Sequence, residues 1–330
     1  MATSNSASVA ERIRQQALDL CWGAWAELGV SGWGRTHHDW AIDPEPLVVF
    51  TVGIAEADPR LRDEVTDWCI RNWRNISQTR LRHVLAGQPE ETLADWGRFA
   101  ATVNARAGTH WPRATTERTS YRVTGRSTLR PLTEPSLVLL RMRAMFGLSA
   151  RAEILRYLLF HPSDRATAAM LAEPANYAKR NVADACDVLV QAGVLSSKRV
   201  GNRFYFSLAG SGSLAHFVGT MPDVAPDWNA LLRVVATTVR VAQTTEEVPH
   251  DALVVETHQA IRDIEEDLEL LDIRAPRRLR GAAVLIEWSQ WADEVMTSLA
   301  SGTWPEEKAE SATMEMTAGR PRKKLPIRPR

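Results

Sequence analysis

Residues 149–208 alternate helix-forming runs with strong stops in an order that few folds accommodate. Ser149 precedes an apolar-periodic run at 150–161, in which Ile154, Leu155, Leu158 and Leu159 fall on one face, and Pro162 closes it. A shorter helix is expected at 166–173, with Pro174 marking a tight turn. A longer helix then runs from about residue 176 to 192, with Gly193 as its C-terminal stop. Two β-prone runs, 194–200 and 203–208, flank the dipeptide Gly201-Asn202, which suits a tight hairpin. Upstream, 137–146 reads as a short apolar helix ended by Gly147.

Charge singles out the same part of the chain. Lys plus Arg and Asp plus Glu are 40 each, so the whole molecule is formally neutral. Residues 112–208 nevertheless hold 15 basic and 7 acidic side chains, while 1–111 and 209–330 are net acidic. Positive charge gathered in one central segment is what a polyanion-binding module between acidic neighbours would display.

The run TAAMLAEPANYAKRNVADACDVLVQAGVLSSKRVGNRFYFSL, from Thr167 to Leu208, pairs a small-residue helix with an amphipathic helix ending L-x-x-A-G-V-L and a basic hairpin closing on an aromatic strand. With the preceding helix it resembles the winged helix-turn-helix domain of bacterial transcription regulators of the ArsR/MarR type, over about 135–208. The resemblance implies double-stranded DNA as the partner, a repressor acting as a homodimer, and a recognition helix whose N-terminal residues reach base edges in the major groove. At about 100° per residue, Ala178, Val182, Cys186 and Leu189 share the core face. Tyr177, Arg180, Asp184, Asp187 and Gln191 share the opposite face, flanked by Asn176 and Asn181. Arg180 suits bidentate pairing with guanine and Asn176 or Asn181 with adenine, while Tyr177 suits a phosphate or a thymine methyl. Lys179 is placed for phosphate. On the wing, Lys198, Arg199 and Arg203 around Asn202 suit the phosphate backbone or the minor groove.

The rest of the chain reads as helical. Residues 1–111 contain eight of the twelve tryptophans, expected in the core, and Asp43-Pro44 and Asp58-Pro59 each look like a helix start with an N-cap acceptor. Residues 112–134 read as a basic linker in which Arg113, Arg118, Arg122, Arg126 and Arg130 lack periodicity: a solvated connector, or one touching DNA phosphates. Gly210-Ser211-Gly212 reads as a linker. Helices are expected at 228–242, 252–271 and 277–299 within a C-terminal region spanning 209–301, before a disordered 302–330 tail with a basic end. The expected fold class is thus mainly α, with a central winged helix-turn-helix domain of three helices plus a β-hairpin wing, flanked by helical N- and C-terminal regions.

Other classes find little support. Cys21, Cys69 and Cys186 form no C-x-x-C motif, and no phosphate-binding loop, nucleophile elbow or H-E-x-x-H is present. His37-His38-Asp39 is the densest ligand-like cluster, without further ligands at known spacing. The expectation is therefore no enzyme, no cofactor and no metal. Metal sensors of the resembled type use paired cysteines, whereas Cys186 stands alone on the core face. With no signal peptide and no apolar run of spanning length, a cytoplasmic protein without membrane contact is expected. Two further readings keep the domain but change its use. One is an antitoxin-like or phage-defence regulator, similar in architecture to AbiEi-type antitoxins. The other is a winged-helix scaffold docking a protein through its helical flanks.

Overall fold

A computed structural model describes residues 3–162, 165–245 and 248–305. The chain is mainly helical, with one two-stranded antiparallel sheet among the described residues. The first five helices are α1 (Thr3–Leu28), α2 (Pro44–Ile54), α3 (Pro59–Asn72), α4 (Gln78–Leu85) and α5 (Glu90–Ala107). A central group follows: α6 (Val138–Phe146), α7 (Ala150–Phe160), α8 (Ala168–Ala175), α9 (Lys179–Gln191), β1 (Leu195–Val200), β2 (Arg203–Leu208) and α10 (Ser211–Val218). The chain then forms α11 (Trp228–Thr244), α12 (His250–Asp263), α13 (Glu265–Leu271) and α14 (Ala283–Ala300). No described helix is long and apolar enough to cross a membrane.

Two hydrophobic cores organise these elements. The larger draws on both ends of the chain, combining Trp25, Trp68 and Trp96 with Trp228, Val235, Trp288 and Leu299. Residues 1–111 and 209–301, separate in the sequence reading, thus bury their apolar faces against each other. Polar contacts follow the same seam. Trp228 Nε1 donates to Ala41 O at 2.7 Å, and a parallel bridge joins Trp40 to Val224. Six of the eight N-terminal tryptophans are buried, and Trp33 and Trp73 are the partly exposed pair. The second core lies within the central group, where Ile154, Leu155 and Leu158 of α7 meet Leu171 of α8, Val182, Cys186 and Leu189 of α9, and Leu195 and Phe206 of the hairpin.

Several local expectations change. Asp58 caps α3 through the Arg60 and Leu61 N–H groups, but the Asp43 carboxylate is drawn away from the start of α2 by Arg80. Gly210-Ser211-Gly212 opens α10 instead of linking. The run expected at 252–271 bends at Ile264 into α12 and α13. The last long helix begins at Ala283 and not at 277, and the Arg274 carbonyl ahead of it accepts from Trp291 Nε1. Of the expected tail, residues 306–330 lie outside the described residues.

The connector at 112–134 is a seated strap whose side chains are mostly exposed. Its backbone donors find acceptors on the helical body: Thr115 N–H on Gly97 O, Thr124 and Gly125 N–H on Asp67 Oδ2, and Thr128 N–H on Gly29 O. Gly29 has φ +103°, and a Cβ there would lie 1.8 Å from Thr128 O, so only glycine allows this approach.

The central group is held to the body by buried charge. Arg80 of α4 engages Asp43 through both terminal nitrogens and Glu45 Oε2 at 2.6 Å. Arg143 of α6 bonds both Glu45 oxygens at 2.8 Å and Glu153 of α7 at 3.0 Å. Arg156 approaches Glu153 Oε2 at 3.5 Å, which gives three guanidinium groups for three carboxylates. Burial pushes the Asp43 carboxyl up, but the charge and hydrogen bonds of Arg80 outweigh it and hold the group below the usual carboxylate range. Removing one member strands an unpaired charge in the interior, so Arg80→Leu should lower the unfolding free energy by about 3–5 kcal/mol. Urea denaturation measures this, and a loss below about 1 kcal/mol would mean the carboxylates find water instead.

His37 pins the two ends of the chain. Its Nε2–H donates to Leu299 O at 2.8 Å and Nδ1 accepts from the Thr36 hydroxyl at 2.9 Å, which fixes the neutral tautomer. Burial is the main cause that lowers its pKa below the ordinary histidine value. Above about pH 6.5 the ring is neutral in both the folded and unfolded chain. As pH falls below that, the unfolded chain takes up the proton first and stability drops. His37→Asn should therefore flatten the pH dependence of unfolding between pH 7 and pH 5, measured by thermal or urea denaturation at each pH.

Candidate nucleic-acid interface

The turn between α8 and α9 decides which expected site residues reach the surface. Asn176 takes the left-handed conformation (φ 54°, ψ 44°) and ends α8, with its N–H on Glu173 O and the Tyr177 N–H on Ala172 O. That pair of bonds is a Schellman stop, with asparagine in the position usually held by glycine. Pro174 is absorbed in the last turn of α8, and the turn comes two residues later than expected. The long helix consequently begins at Lys179, with Ala178 as an exposed N-cap where a core residue was expected.

Two of the nine expected residues turn inward. Tyr177 follows the Schellman stop as its apolar contact and is buried, with its hydroxyl 3.2 Å from Ser77 Oγ. Ser77 N–H in turn donates to Glu45 Oε1 at 2.6 Å. Burial raises the Tyr177 phenol above its ordinary value. Asn176 is partly buried and accepts from Asn229 Nδ2 of α11 at 3.3 Å. Neither is placed to read a base, because the turn that carries them faces the helical body. A helical wheel treats both as part of α9, and the αL tolerance of asparagine is the signal that points otherwise.

The other seven are exposed. Lys179, Arg180 and Asn181 occupy the first turn of α9, free of any described side-chain partner. The later half of the exposed face carries Asp184, Asp187, Val188 and Gln191. Gly193 (φ 71°) ends α9, and the Val194 N–H returns to Leu189 O at 2.9 Å, so the chain passes straight into β1.

The hairpin pairs in the expected register, with Val200 opposite Arg203 across Gly201-Asn202 and Gly201 at φ 59°. Lys198, Arg199, Asn202 and Arg203 all lie outward near its tip. Arg199 is partly anchored, donating to Gly201 O at 3.1 Å with its guanidinium 6.0 Å from the Phe204 ring. Phe206 exchanges two backbone hydrogen bonds with Ala166, which fixes the base of the hairpin beside α8. Cys186 is buried on the core face, and burial pushes its thiol up to about 12.

Sequence reasoning missed what consumes the central positive charge. Arg143 and Arg156 belong to the buried network, and Arg141 donates to the carbonyls of Leu132, Thr133, Glu134, Val218 and Thr220. The outward cations are fewer than the count implies, and they concentrate on α9, the hairpin and the strap. Tyr177→Phe should cost about 0.5–1.5 kcal/mol of stability, the worth of one hydrogen bond, and leave any nucleic-acid affinity unchanged. Urea unfolding and fluorescence anisotropy measure the two effects separately.

No protein-family model, curated protein or solved structure matches the chain.

Proposed function

We propose that the chain is a sequence-specific DNA-binding transcriptional regulator of the winged helix-turn-helix kind, acting as a homodimeric repressor. The observation that carries this reading is the pairing of two outward basic surfaces on one core: the first turn of α9 and the tip of the hairpin. Lys179, Arg180 and Asn181 have no internal partner among the described residues, and a rigid helix N-terminus presents them together. Arg180 would read guanine, Asn181 adenine, and Lys179 a phosphate. Asp184 and Asp187 would repel phosphates, so only the N-terminal half of α9 enters the groove. Lys198, Arg199, Asn202 and Arg203 would then lie along the backbone or minor groove.

A second reading is favoured by apolar exposure on the same hairpin. Val200 and Phe204 are 55% and 53% exposed, a surface that suits a protein partner. Titrating the DNA upstream of the protein's own gene across salt concentrations separates the two. Arg180→Ala should cost roughly 1–3 kcal/mol on the preferred site and relax specificity there. The triple change Lys198→Ala, Arg199→Ala and Arg203→Ala should weaken binding to all duplexes. It should also lower the salt slope by roughly 0.9 for each phosphate left unneutralised, at most about 3 in all. If both variants match the wild type, protein docking becomes the better account.

A further inference from the structure

The strap crossing the helical body carries exposed cations that nothing in the described fold uses. Arg113, Arg118, Arg122 and Arg126 all lie outward, and none of their side chains bonds another described residue. Three of the nearby carboxylates are occupied, while Glu117 on the strap itself is exposed. Glu64 accepts from the Ser127 and Thr124 hydroxyls, Asp67 accepts from strap N–H groups, and Asp63 pairs with Arg62.

Besides the cleft that sets Arg118 with Arg62 and Arg98 against Glu56 and Asp95, two open clefts flank the strap. One, of about 430 Å³, is lined by Arg60, Arg122 and Arg126, together with Asp63 and Glu64. The other, of about 470 Å³, is lined by Arg106, Arg118 and Tyr121 and contains no acidic residue. Aromatic surface adjoins the first. Arg60 lies 5.4 Å from the Trp22 ring, and Trp22 stacks on Trp33 with centroids 5.9 Å apart and planes 17° apart. Trp33 is 42% exposed, which leaves surface for another flat ring.

Separated arginines on a fixed backbone, with indole and phenol faces beside them, match a polyanion that also carries flat rings. Bases of a single strand are free to stack on such faces, whereas those of a duplex are already stacked on each other. We propose that the strap is a binding surface for single-stranded nucleic acid, distinct from α9 and the hairpin. From Arg118 to Arg126 the extended chain spans at most about 29 Å, so the surface follows a stretch of backbone instead of one phosphate. The seating bonds to Gly97, Asp67 and Gly29 hold the arginines in place before any strand arrives.

The test uses the full chain and a fluorescein-labelled twenty-residue oligothymidylate, followed by anisotropy at several salt concentrations. Arg118, Arg122 and Arg126 make no described side-chain bonds, so their combined replacement by alanine should leave the fold intact, as circular dichroism would verify. This variant should weaken oligothymidylate binding at least tenfold and reduce the salt slope by roughly 0.7 for each phosphate left unneutralised. Trp33→Ala should weaken it about 5- to 100-fold through the missing stacking, yet leave binding of inorganic polyphosphate unchanged. The Lys198, Arg199 and Arg203 triple variant should bind the oligothymidylate like the wild type. Wild-type affinity in the strap variant would overturn the proposal, as would a loss seen only in the hairpin variant. A silent Trp33→Ala, with polyphosphate bound as tightly as oligothymidylate, would also overturn it by reducing the surface to a charge patch.

Discussion

Arg80 and Arg143 lie between Asp43, Glu45 and Glu153 in the interior, and the placement of everything around α9 follows from that contact. Buried ion pairs contribute little net stability, because desolvation offsets most of the attraction. What they impose is geometry: only one docking of α6 and α7 against α2 and α4 satisfies every charge. Arg80 Nε also donates to Ala175 O at 3.2 Å, which holds the end of α8, and Arg143 donates to Asn75 O at 2.9 Å, ahead of α4. The turn into α9 is therefore tied to the helical body, and the direction in which α9 presents its first turn is set from below.

That constraint sorts the basic residues by role. Arginines near the interface between the two cores become structural, as does Arg130 of the strap, which donates to Ala26 O at 2.9 Å, and those on α9, the hairpin and the rest of the strap remain available to solvent. A segment charge count cannot make this distinction, since a guanidinium contributes one charge whether it faces a buried carboxylate or open water. The strap shows the converse: a stretch without periodicity is ordered because its backbone donors meet Asp67 and Gly29 instead of a sheet or helix.

The secondary structure of the central group was largely legible from local rules. Gly147 and Gly193 stop their helices at positive φ, Gly201-Asn202 closes the hairpin, and the 3.6-residue period placed Val182, Cys186 and Leu189 inside. The candidate site was legible where residues sit on regular elements, as with Lys179, Arg180, Asn181 and the hairpin tip. It failed at Asn176 and Tyr177, where one left-handed residue shifted the helix start by three positions and rotated both side chains toward the body.

From α6 to β2 the sequence by itself determined where helices and strands begin and end to within a few residues, because caps, prolines, glycines and apolar period act over one or two turns of chain. Only the tertiary structure decided which of those elements share a core, since Trp40 and Trp228, or His37 and Leu299, are brought together by packing across most of the chain's length. It also decided which arginines are structural. A long flexible cation can either pair inward or point outward, and the choice rests on whether a carboxylate from a distant helix is buried beside it.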